Sequence, residues 1–411
     1  MIKKTITLNL LGLLFNFSPV QAQTRSANHS PNIIVILADD FGWGSLNSYG
    51  APETLIKTPH IDRLAQEGRR FTDANTTSSV CTPSRYSVLT GRYCWRSSLK
   101  FETLDPNAPL LIEPERLTIP SLLKSQGYET AAIGKWHLGF GKEKKVDFRD
   151  LLSPGPLEIG FDYYFGIPQN HGDNTGVYVE DHSVYGLRSR NFIDAGTSPY
   201  GRKYIGIDAP QRTDKEVMSV LTEKATAWLK KQTPEKPFFL YYAPAAVHFP
   251  ITPSDKNAGT SGCGLYGDFI HDLDQSVGTL LDLLDKSNLS QNTIVLFTSD
   301  NGGVLRTSGK SDEAKAYAMG LHVNGDFKNG KHSIYQGGSR VPYIVRWPGK
   351  VPAGTLCDEP VSLVDTLATV SNLLHVPLSD PSKGAEDSFN VLPAWMGTPY
   401  TPPLATLPDS S

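Results

Sequence analysis

A cysteine at the start of a predicted helix is the first candidate for chemistry in this chain. Cys81 opens the sequence Cys-Thr-Pro-Ser-Arg, Arg85 closes it, and a Leu-Thr-Gly-Arg motif follows at residues 89–92. We expect Cys81 to lie just before a helix that runs through Tyr86 and Leu89, where the helix N-terminus favours negative charge on a nucleophile. A free cysteine in an ordinary loop-to-helix junction is the alternative, and the pentapeptide alone does not exclude it.

Oxygen-bearing side chains follow two buried strand patterns. One apolar run leads into Asp39 and Asp40, and a second leads into Asp300 and Asn301. Ligands gather at the carboxyl ends of parallel strands, so these four side chains are candidate ligands for one hard cation. Such a set suits Ca²⁺ or Mg²⁺ rather than zinc. The alternative is that the four residues merely form turns, as Asp and Asn often do.

Three further stretches carry basic or titratable groups. In residues 134–139, Lys135 and His137 are two apart and would share a face of an extended segment. A cation beside an imidazole suits anion binding and proton transfer, although a surface lysine and a half-buried histidine are equally compatible with the pattern. His248 follows an aromatic strand pattern, and Lys331 lies between loops, where a lysine is usually solvated.

The elements that must position these residues predict an α/β fold. Apolar β-branched runs alternate with amphipathic patterns, which indicates a mostly parallel sheet flanked by helices. The length allows one large α/β domain or two smaller ones. The predicted strands are 32–38, 130–133, 237–242, 293–297 and 341–345, and the predicted helices are 58–68, 214–231 and 268–285.

Two long segments, 141–212 and 302–333, are rich in Gly, Asp, Asn and His and have weak periodicity. Long loops in a compact enzyme usually shape a binding site. Within the first segment we expect His171, Asp173, Asn174 and His182 either to contact hydroxyl groups of a ligand or to be solvated loop residues.

The N-terminal sequence predicts export. Two lysines, an apolar run and a small-residue cleavage site make residues 1–22 a candidate signal peptide, so we expect a periplasmic or secreted protein without a membrane anchor. A net charge of −3 and the absence of a dense basic block argue against nucleic acid as a partner. Four scattered cysteines are too few for a disulfide scaffold, and modification of Cys81 would leave at most one pair.

Taken together and in this order, the motifs resemble the formylglycine-dependent sulfatases of the arylsulfatase type, within the alkaline-phosphatase-like superfamily. In that family a cysteine is oxidised to formylglycine, whose hydrate attacks sulfate esters. The resemblance extends over roughly residues 30 to 375. The matching motifs, in chain order, are Asp39-Asp40, the Cys81 motif, residues 134–137, His248, Asp300-Asn301 and residues 331–342.

The resemblance implies a fold, a mechanism and a set of roles. The fold is a large mixed, mostly parallel sheet sandwiched between helices. Ca²⁺, preferred over Mg²⁺, would be the cofactor, and a formylglycine-generating maturation enzyme would be a partner. The implied metal ligands are Asp39, Asp40, Cys81, Asp300 and Asn301. The implied catalytic residues are Cys81, Arg85, His137, His248 and Asp300, and the implied substrate-binding residues are Lys135, His248 and Lys331.

The chain departs from the family pattern in two places. Gln336 stands where the family commonly has glutamate. We expect a catalytic domain over 30–377 and a poorly structured Pro/Ser-rich remnant over 378–411, with most of the usual small C-terminal antiparallel sheet missing. The expected consequence is an uncovered sheet edge and reduced stability.

For an exported sulfatase the implied substrates are sulfated carbohydrates. The residues around 259–268 resemble those of the galactose- and N-acetylgalactosamine-6-sulfatase branch. The alternatives are a phosphomonoesterase or phosphonate esterase of the same superfamily, and an inactive Ca²⁺-dependent glycan-binding protein.

Overall fold

A ten-stranded mixed sheet lies at the centre of the computed structural model, which describes residues 30–378, 380 and 383–401. The predicted signal peptide, residues 1–22, lies outside the described residues. Across the described part, no helix combines the length and the apolar character that crossing a bilayer requires.

The strands are β1 Asn32–Ala38, β2 Arg69–Phe71, β3 Ala74–Asn75, β4 Glu129–Lys135, β5 Tyr163–Ile167, β6 Val179–Glu180, β7 Ser183–Val184, β8 Phe238–Ala243, β9 Thr293–Ser299, β10 Tyr343–Arg346, β11 Thr355–Cys357 and β12 Val361–Ser362. The α-helices are α1 Pro59–Glu67, α2 Cys81–Thr90, α3 Ile119–Ser125, α4 Val217–Leu229, α5 Leu265–Lys286, α6 Asp312–Ala318, α7 Gln336–Ser339, α8 Thr366–Leu373 and α9 Leu392–Met396.

The sheet order is β11-β2-β10-β9-β1-β8-β4-β5-β6-β7. Its five central strands, β9, β1, β8, β4 and β5, run parallel to one another. Antiparallel pairings occur on both sides, at β10 and at β6 and β7. The mixed, mostly parallel sheet that the sequence predicts is therefore confirmed.

Strand β1 shows why the sheet is buried on both faces. Side chains alternate along a strand, and here both alternating sets are apolar. Ile33 and Val35 pack into one core with α2, α3 and α8, while Ile34 and Ile36 pack into the other with α1, α4 and α5. The continuous apolar run therefore produces a three-layer arrangement with a core on each side of the sheet.

The long segments contain more regular structure than their composition predicts. The stretch 141–212 includes β5, β6 and β7, which extend the sheet, and 302–333 includes α6. Strands β6 and β7 are two residues long, which is too short for an alternating pattern to be visible in the sequence.

The C-terminal stretch also differs from the expectation of a poorly structured segment over 378–411. Within its described part, helix α9 packs against the core through Val391, Ala394 and Trp395, each nearly inaccessible to solvent. Ala394 and Trp395 follow Val391 by three and four residues, so the three side chains lie on one face of a short helix. All four cysteines of the chain are free thiols.

Candidate active site

The site begins where β1 and β9 end. The two strands are parallel and in register up to Ala38 and Ser299, so the residues that follow lie at the same level of the sheet edge. The backbone N–H of Asp40 donates to Asp300 Oδ1 at 3.1 Å, and Asn301 Nδ2 donates to Asp40 Oδ1 at 2.8 Å. The strand register therefore brings the two acidic pairs together.

Cys81 is the first residue of α2, and Arg85 lies one helical turn later on the same face. The Arg85 guanidinium is fully buried and donates to Asp300 Oδ2 from Nη2 at 2.7 Å and from Nε at 3.0 Å. Its Nη1 donates to the carbonyl oxygen of Lys135 at 3.1 Å. Arg85 therefore connects α2 to the ends of β9 and β4.

Two lysines neutralise the carboxylates after β1. Lys135 Nζ lies 2.9 and 2.8 Å from the two carboxylate oxygens of Asp39, with both side chains inaccessible to solvent. Lys331 Nζ donates to Asp40 Oδ2 at 2.8 Å and lies 3.5 Å from Cys81 Sγ. Each buried carboxylate is thereby paired, which buried charge requires.

These charges set the ionisation of Cys81 and Asp40. Burial alone would raise the pKa of the Cys81 thiol, but Lys135 and Lys331 outweigh it and hold that pKa well below its usual range. Burial also opposes ionisation of Asp40, yet Lys331, His248 and Lys135 keep its pKa below the ordinary value. The site is consequently built for negative charge on the side chain at position 81.

His137 is held as a neutral imidazole. Burial, together with the charge of Lys135, lowers its pKa despite the opposing effect of Cys81. Its Nε2 lies 3.0 Å from the carbonyl oxygen of Leu104, which only accepts hydrogen bonds, so Nε2 carries the proton. The ring also interacts with the Cys81 side chain, and the buried Nδ1 retains its lone pair, which is the arrangement of a base.

His248 has the opposite character. Its Nδ1 lies 2.6 Å from the carbonyl oxygen of Phe249, and its Nε2 lies 3.7 Å from Asp40 Oδ2. Burial and Lys331 favour the neutral ring, but Asp40 and the nearby Asp39 outweigh them and raise the pKa of His248. A raised pKa favours the protonated ring, and a protonated imidazole is suited to act as an acid.

Two site residues adopt left-handed backbone conformations without being glycine. Asp40 has a φ of 56° and His137 a φ of 59°. Residues in such conformations cost roughly 1–3 kcal/mol and cluster at functional sites. These two backbone conformations therefore lower the stability of the fold while they orient the Asp40 and His137 side chains.

The donor set fits a metal ion. Ligand atoms of Asp39, Asp40, Cys81 and His248 all lie within 4.8 Å of one another. Asn301 adds a buried Oδ1 that has no hydrogen-bond partner, and an orphaned amide oxygen beside carboxylates is a natural ligand for a hard cation. The structure thus adds His248 to the neighbourhood of the ligands that the sequence predicts.

An open cleft with a volume of about 830 Å³ lies above this cluster. Of the predicted site residues, those that line it are Asp40, Cys81, His137, His248 and Lys331. Those that do not line it are Asp39, Arg85, Lys135, Asp300 and Asn301, all nearly or fully buried.

A family model described as Sulfatase matches residues 31–376. The chain belongs to the sulfatase family.

The sulfatase has close relatives among characterised proteins. It is 36% identical to an N-acetylgalactosamine-6-O-sulfatase of Bacteroides thetaiotaomicron, over 93% of this chain and 80% of the relative. It is 34% identical to an N-acetylgalactosamine-6-sulfatase of Canis lupus familiaris, over 95% of this chain and 70% of the relative. A solved Bacteroides thetaiotaomicron structure, from work on the metabolism of multiple glycosaminoglycans, superimposes with a TM-score of 0.83 at 35% identity, covering 90% of this chain and 82% of that one.

The loop residues proposed as sugar contacts divide into two groups in the sulfatase. Asp173 and Asn174 line the cleft. His171 is fully buried, with Nε2 lying 2.7 Å from the carbonyl oxygen of Pro250. His182 pairs with Glu158 at 2.8 Å and does not line the cleft.

Sequence reasoning missed several residues that line the cleft of the sulfatase. These are Tyr200, Arg202, Arg306, Lys310 and His332. All five lie in long segments without periodicity, so the sequence showed only that they belong to polar loops. Their approach to Cys81 depends on how those loops fold back over the sheet edge.

Proposed function

We propose that this sulfatase removes sulfate from sulfated carbohydrates bearing galactose- or N-acetylgalactosamine-6-sulfate, with Cys81 converted to formylglycine as the source of the nucleophile. The observation that carries the proposal is the position of Cys81. It begins α2, lies beside Lys331 and is close to the carboxylates of Asp39 and Asp40 at the end of β1. The names of the relatives at 34–36% identity support the 6-sulfate class.

The residues that would hold the metal are Asp39, Asp40, Asp300 and Asn301, together with the oxygen that replaces the sulfur of Cys81. The cluster with an intact thiol and an imidazole would equally suit zinc, and oxidation of Cys81 shifts the donor set toward oxygen and therefore toward Ca²⁺. A bound Ca²⁺ would supply positive charge near a sulfate oxygen and a neighbouring hydroxyl. A formylglycine at position 81 would supply, as its hydrate, one hydroxyl for attack on sulfur with loss of the alcohol, and a second hydroxyl whose deprotonation would regenerate the aldehyde and expel sulfate.

The surrounding side chains of this chain provide the electrostatics. Sulfuryl transfer resembles phosphoryl transfer in having a loose transition state, so positioning and charge stabilisation dominate. Lys331, at the cleft surface, is placed to bind sulfate oxygens, whereas Lys135 acts from below through Asp39. Because Lys331 also pairs with Asp40, its ammonium group balances the carboxylate while presenting charge to the substrate.

Proton transfer is assigned to the two histidines and to Asp300. His137 keeps a lone pair on Nδ1 beside Cys81 and would accept the proton whose removal expels sulfate. His248, whose pKa is raised, would donate a proton to the leaving alcohol. Asp300 would deprotonate the attacking hydroxyl; burial raises its pKa against the effect of Arg85. Arg85 fixes the orientation of Asp300 and has no direct contact with the cleft.

The proposal includes two cellular requirements. Cys81 is only 2% exposed at the lining of the cleft in the folded chain, so a formylglycine-generating enzyme would need to act before folding is complete. Residues 1–22 have the pattern of an export signal, which would deliver the chain to the periplasm or outside the cell.

Mass spectrometry of the peptide containing Cys81, from protein made in its own host, tests the modification. We expect a fraction of the peptide to carry formylglycine, and that fraction to scale with the rate of sulfate release. The Cys81→Ala variant should have no activity, whereas Cys94→Ala, at a free cysteine away from the cleft, should be active. An intact thiol throughout an active preparation would refute the role of Cys81.

Paired turnover of an aryl sulfate and an aryl phosphate tests the reaction. We expect a preference for sulfate, and a strong preference for phosphate would favour the esterase alternative. Binding of a sulfated sugar without any sulfate release, by protein shown to carry formylglycine, would favour an inactive glycan-binding protein.

Metal removal tests the cation. Chelation should lower both activity and the melting temperature, because binding to the folded state alone stabilises it. Ca²⁺ should restore both more effectively than Mg²⁺ or Zn²⁺, and the Asp40→Asn variant should lose the response of melting temperature to Ca²⁺. Full restoration by Zn²⁺ alone would contradict the assignment of Ca²⁺.

A further inference from the structure

A second cavity, with a volume of about 510 Å³, opens beside the cleft. The two share four lining residues, Asp105, Pro106, Asn174 and Arg202, so they form one continuous groove. Its volume falls within the range of ordinary ligand sites. The sulfate-bearing sugar of the proposed reaction belongs over Cys81, which leaves this second cavity for another part of the substrate.

The charges around the second cavity favour an anion. Lys145 and Arg202 both line it, and within the described part of the chain neither has an ion-pair partner. Asp147 also lines it, but its carboxylate is bound to Arg149, with an Nη2–Oδ2 distance of 2.5 Å. Asp105 lies at the junction with the cleft, where its carboxylate can accept hydrogen bonds from hydroxyl groups. The unpaired positive charges therefore exceed the single unpaired negative one.

An aromatic side chain completes the cavity. Phe192 lines it and is 59% exposed, although it is a large apolar residue. The Arg149 guanidinium lies 3.8 Å from the centre of its ring, which holds the ring in place while much of it faces solvent. A fixed aromatic surface next to unpaired cations suits the apolar C–H face of a sugar that carries an acidic group.

We propose that this cavity is a subsite for a second, anionic sugar, so that the preferred substrate is an acidic oligosaccharide and not a sulfated monosaccharide. The anionic group is either a uronic acid carboxylate or a further sulfate, since both suit Lys145 and Arg202. This inference rests on the proposed function for the position of the first sugar. The two can fail separately, because binding in the second cavity does not require sulfate release.

Kinetics on matched disaccharides test the subsite. The substrates carry one N-acetylgalactosamine-6-sulfate linked to a neutral hexose, to a uronic acid or to a sulfated hexose. We expect kcat/KM to be about three- to tenfold higher for one or both acidic disaccharides than for the neutral one, the range of a charge-assisted contact at a partly exposed site. The acidic substrate that shows the preference identifies the anionic group.

Variants of the cavity locate the effect. Lys145→Ala should abolish the preference for the acidic disaccharide, and Phe192→Ala should lower kcat/KM for all disaccharides while leaving the monosaccharide unchanged. Lys144→Ala is the matched control, because Lys144 is also exposed but does not line the cavity. Equal kcat/KM for all three disaccharides, or a preference that survives Lys145→Ala, would overturn the subsite.

Calorimetry separates this inference from the reaction. The Cys81→Ala protein binds the same disaccharides without turnover, and affinity for the acidic ones should fall in the Cys81→Ala/Lys145→Ala double variant. If wild-type protein releases no sulfate but this difference is found, the subsite stands and the proposed function fails. Equal affinities for neutral and acidic disaccharides would refute the subsite whatever the activity.

Discussion

The contacts of Arg85 explain why this arginine lies four residues after Cys81. The resemblance implied a catalytic role for Arg85, but its guanidinium lies below the cleft, bound to Asp300 and to the carbonyl oxygen of Lys135. One helical turn is the spacing that lets α2 place Cys81 at the lining of the cleft and a cation beneath it. We therefore expect Arg85 to act as a positioning residue.

Substitutions of Arg85 should separate the effect of its side-chain geometry from the effect of its charge. Arg85→Lys keeps the charge but cannot reproduce the planar fork that spans Asp300 and Lys135, so we expect kcat to fall at least about tenfold with a smaller effect on KM. Arg85→Ala leaves a buried carboxylate unpaired and should cost about 3–5 kcal/mol of the free energy of unfolding. Urea denaturation and steady-state kinetics measure the two effects.

Arg96→Lys serves as the control, because Arg96 pairs with Asp387 at an exposed position. Its stability and activity should match the wild type. A normal kcat in Arg85→Lys would show that the fork geometry does not matter.

At the scale of single elements, β4 delivers Lys135 through a close approach to β8. Gly134 has a φ of +122°, and a Cβ at this position would lie 1.9 Å from the carbonyl oxygen of Ala243. The neighbouring strand therefore admits only glycine at the position before Lys135. This contact sets the height of Lys135 relative to Asp39.

The Gly134→Ala variant should lose about 3 kcal/mol or more of unfolding free energy, since backbone must move to relieve the overlap, and its activity should fall with the displacement of Lys135. Gly127→Ala is the matched control. Gly127 also has a positive φ near β4, but open space surrounds it, so only the backbone strain of about 1–2 kcal/mol is expected. Similar losses in the two variants, measured by chemical denaturation, would contradict this account.

Helix α5 supports the start of α1 through a buried carboxyl group. Asp274 Oδ1 accepts hydrogen bonds from the backbone N–H groups of Ile61 at 2.8 Å and His60 at 3.0 Å. Burial raises the pKa of Asp274 to about 7, although the two backbone donors act against the rise. The connection between these helices is therefore expected to depend on pH.

Because the folded pKa of Asp274 lies above the unfolded value of about 3.9, its stabilising contribution is complete below about pH 4 and is lost as the pH rises through 7. The Asp274→Asn variant lacks this titration. We expect the free energy of unfolding of the wild type to fall relative to the variant by about 1–4 kcal/mol between pH 4 and pH 8. A constant difference across that range would contradict the pKa.

At the scale of the whole molecule, the C-terminal stretch closes the core beside β10. Trp395 is 2% exposed, and its Nε1 donates to the Tyr343 hydroxyl at 3.1 Å. The described part of this stretch therefore contributes to the main fold, contrary to the expectation of a poorly structured segment.

Trp395→Ala should cost about 3–5 kcal/mol of unfolding free energy, as a large buried side chain is lost and a cavity is left. Trp95→Ala, at a residue that is 55% exposed, should cost about 1 kcal/mol or less. Thermal unfolding of both variants tests this. An unchanged melting temperature in Trp395→Ala would mean that this stretch does not stabilise the core.

The sequence by itself determined the central sheet and the residues at the site. The apolar runs of β1, β8 and β9 are long enough to identify buried strands, and Asp39, Asp40, Asp300 and Asn301 follow two of them directly. Local spacing was also sufficient for α2, because helical periodicity relates Cys81 to Arg85. These are short-range relationships, so they are visible in the order of residues.

Only the tertiary structure decided which of these residues reach the cleft. Lys135 and Arg85 are residue types that often bind anions. Strand register and helix packing nevertheless place both beneath the cleft surface, where they pair with Asp39 and Asp300. Lys331 reaches the cleft because a loop without periodicity folds back over the sheet edge. The physical reason is that partners far apart in the chain, and not local sequence, determine which charges pair beneath the surface and which pairs lie at the cleft.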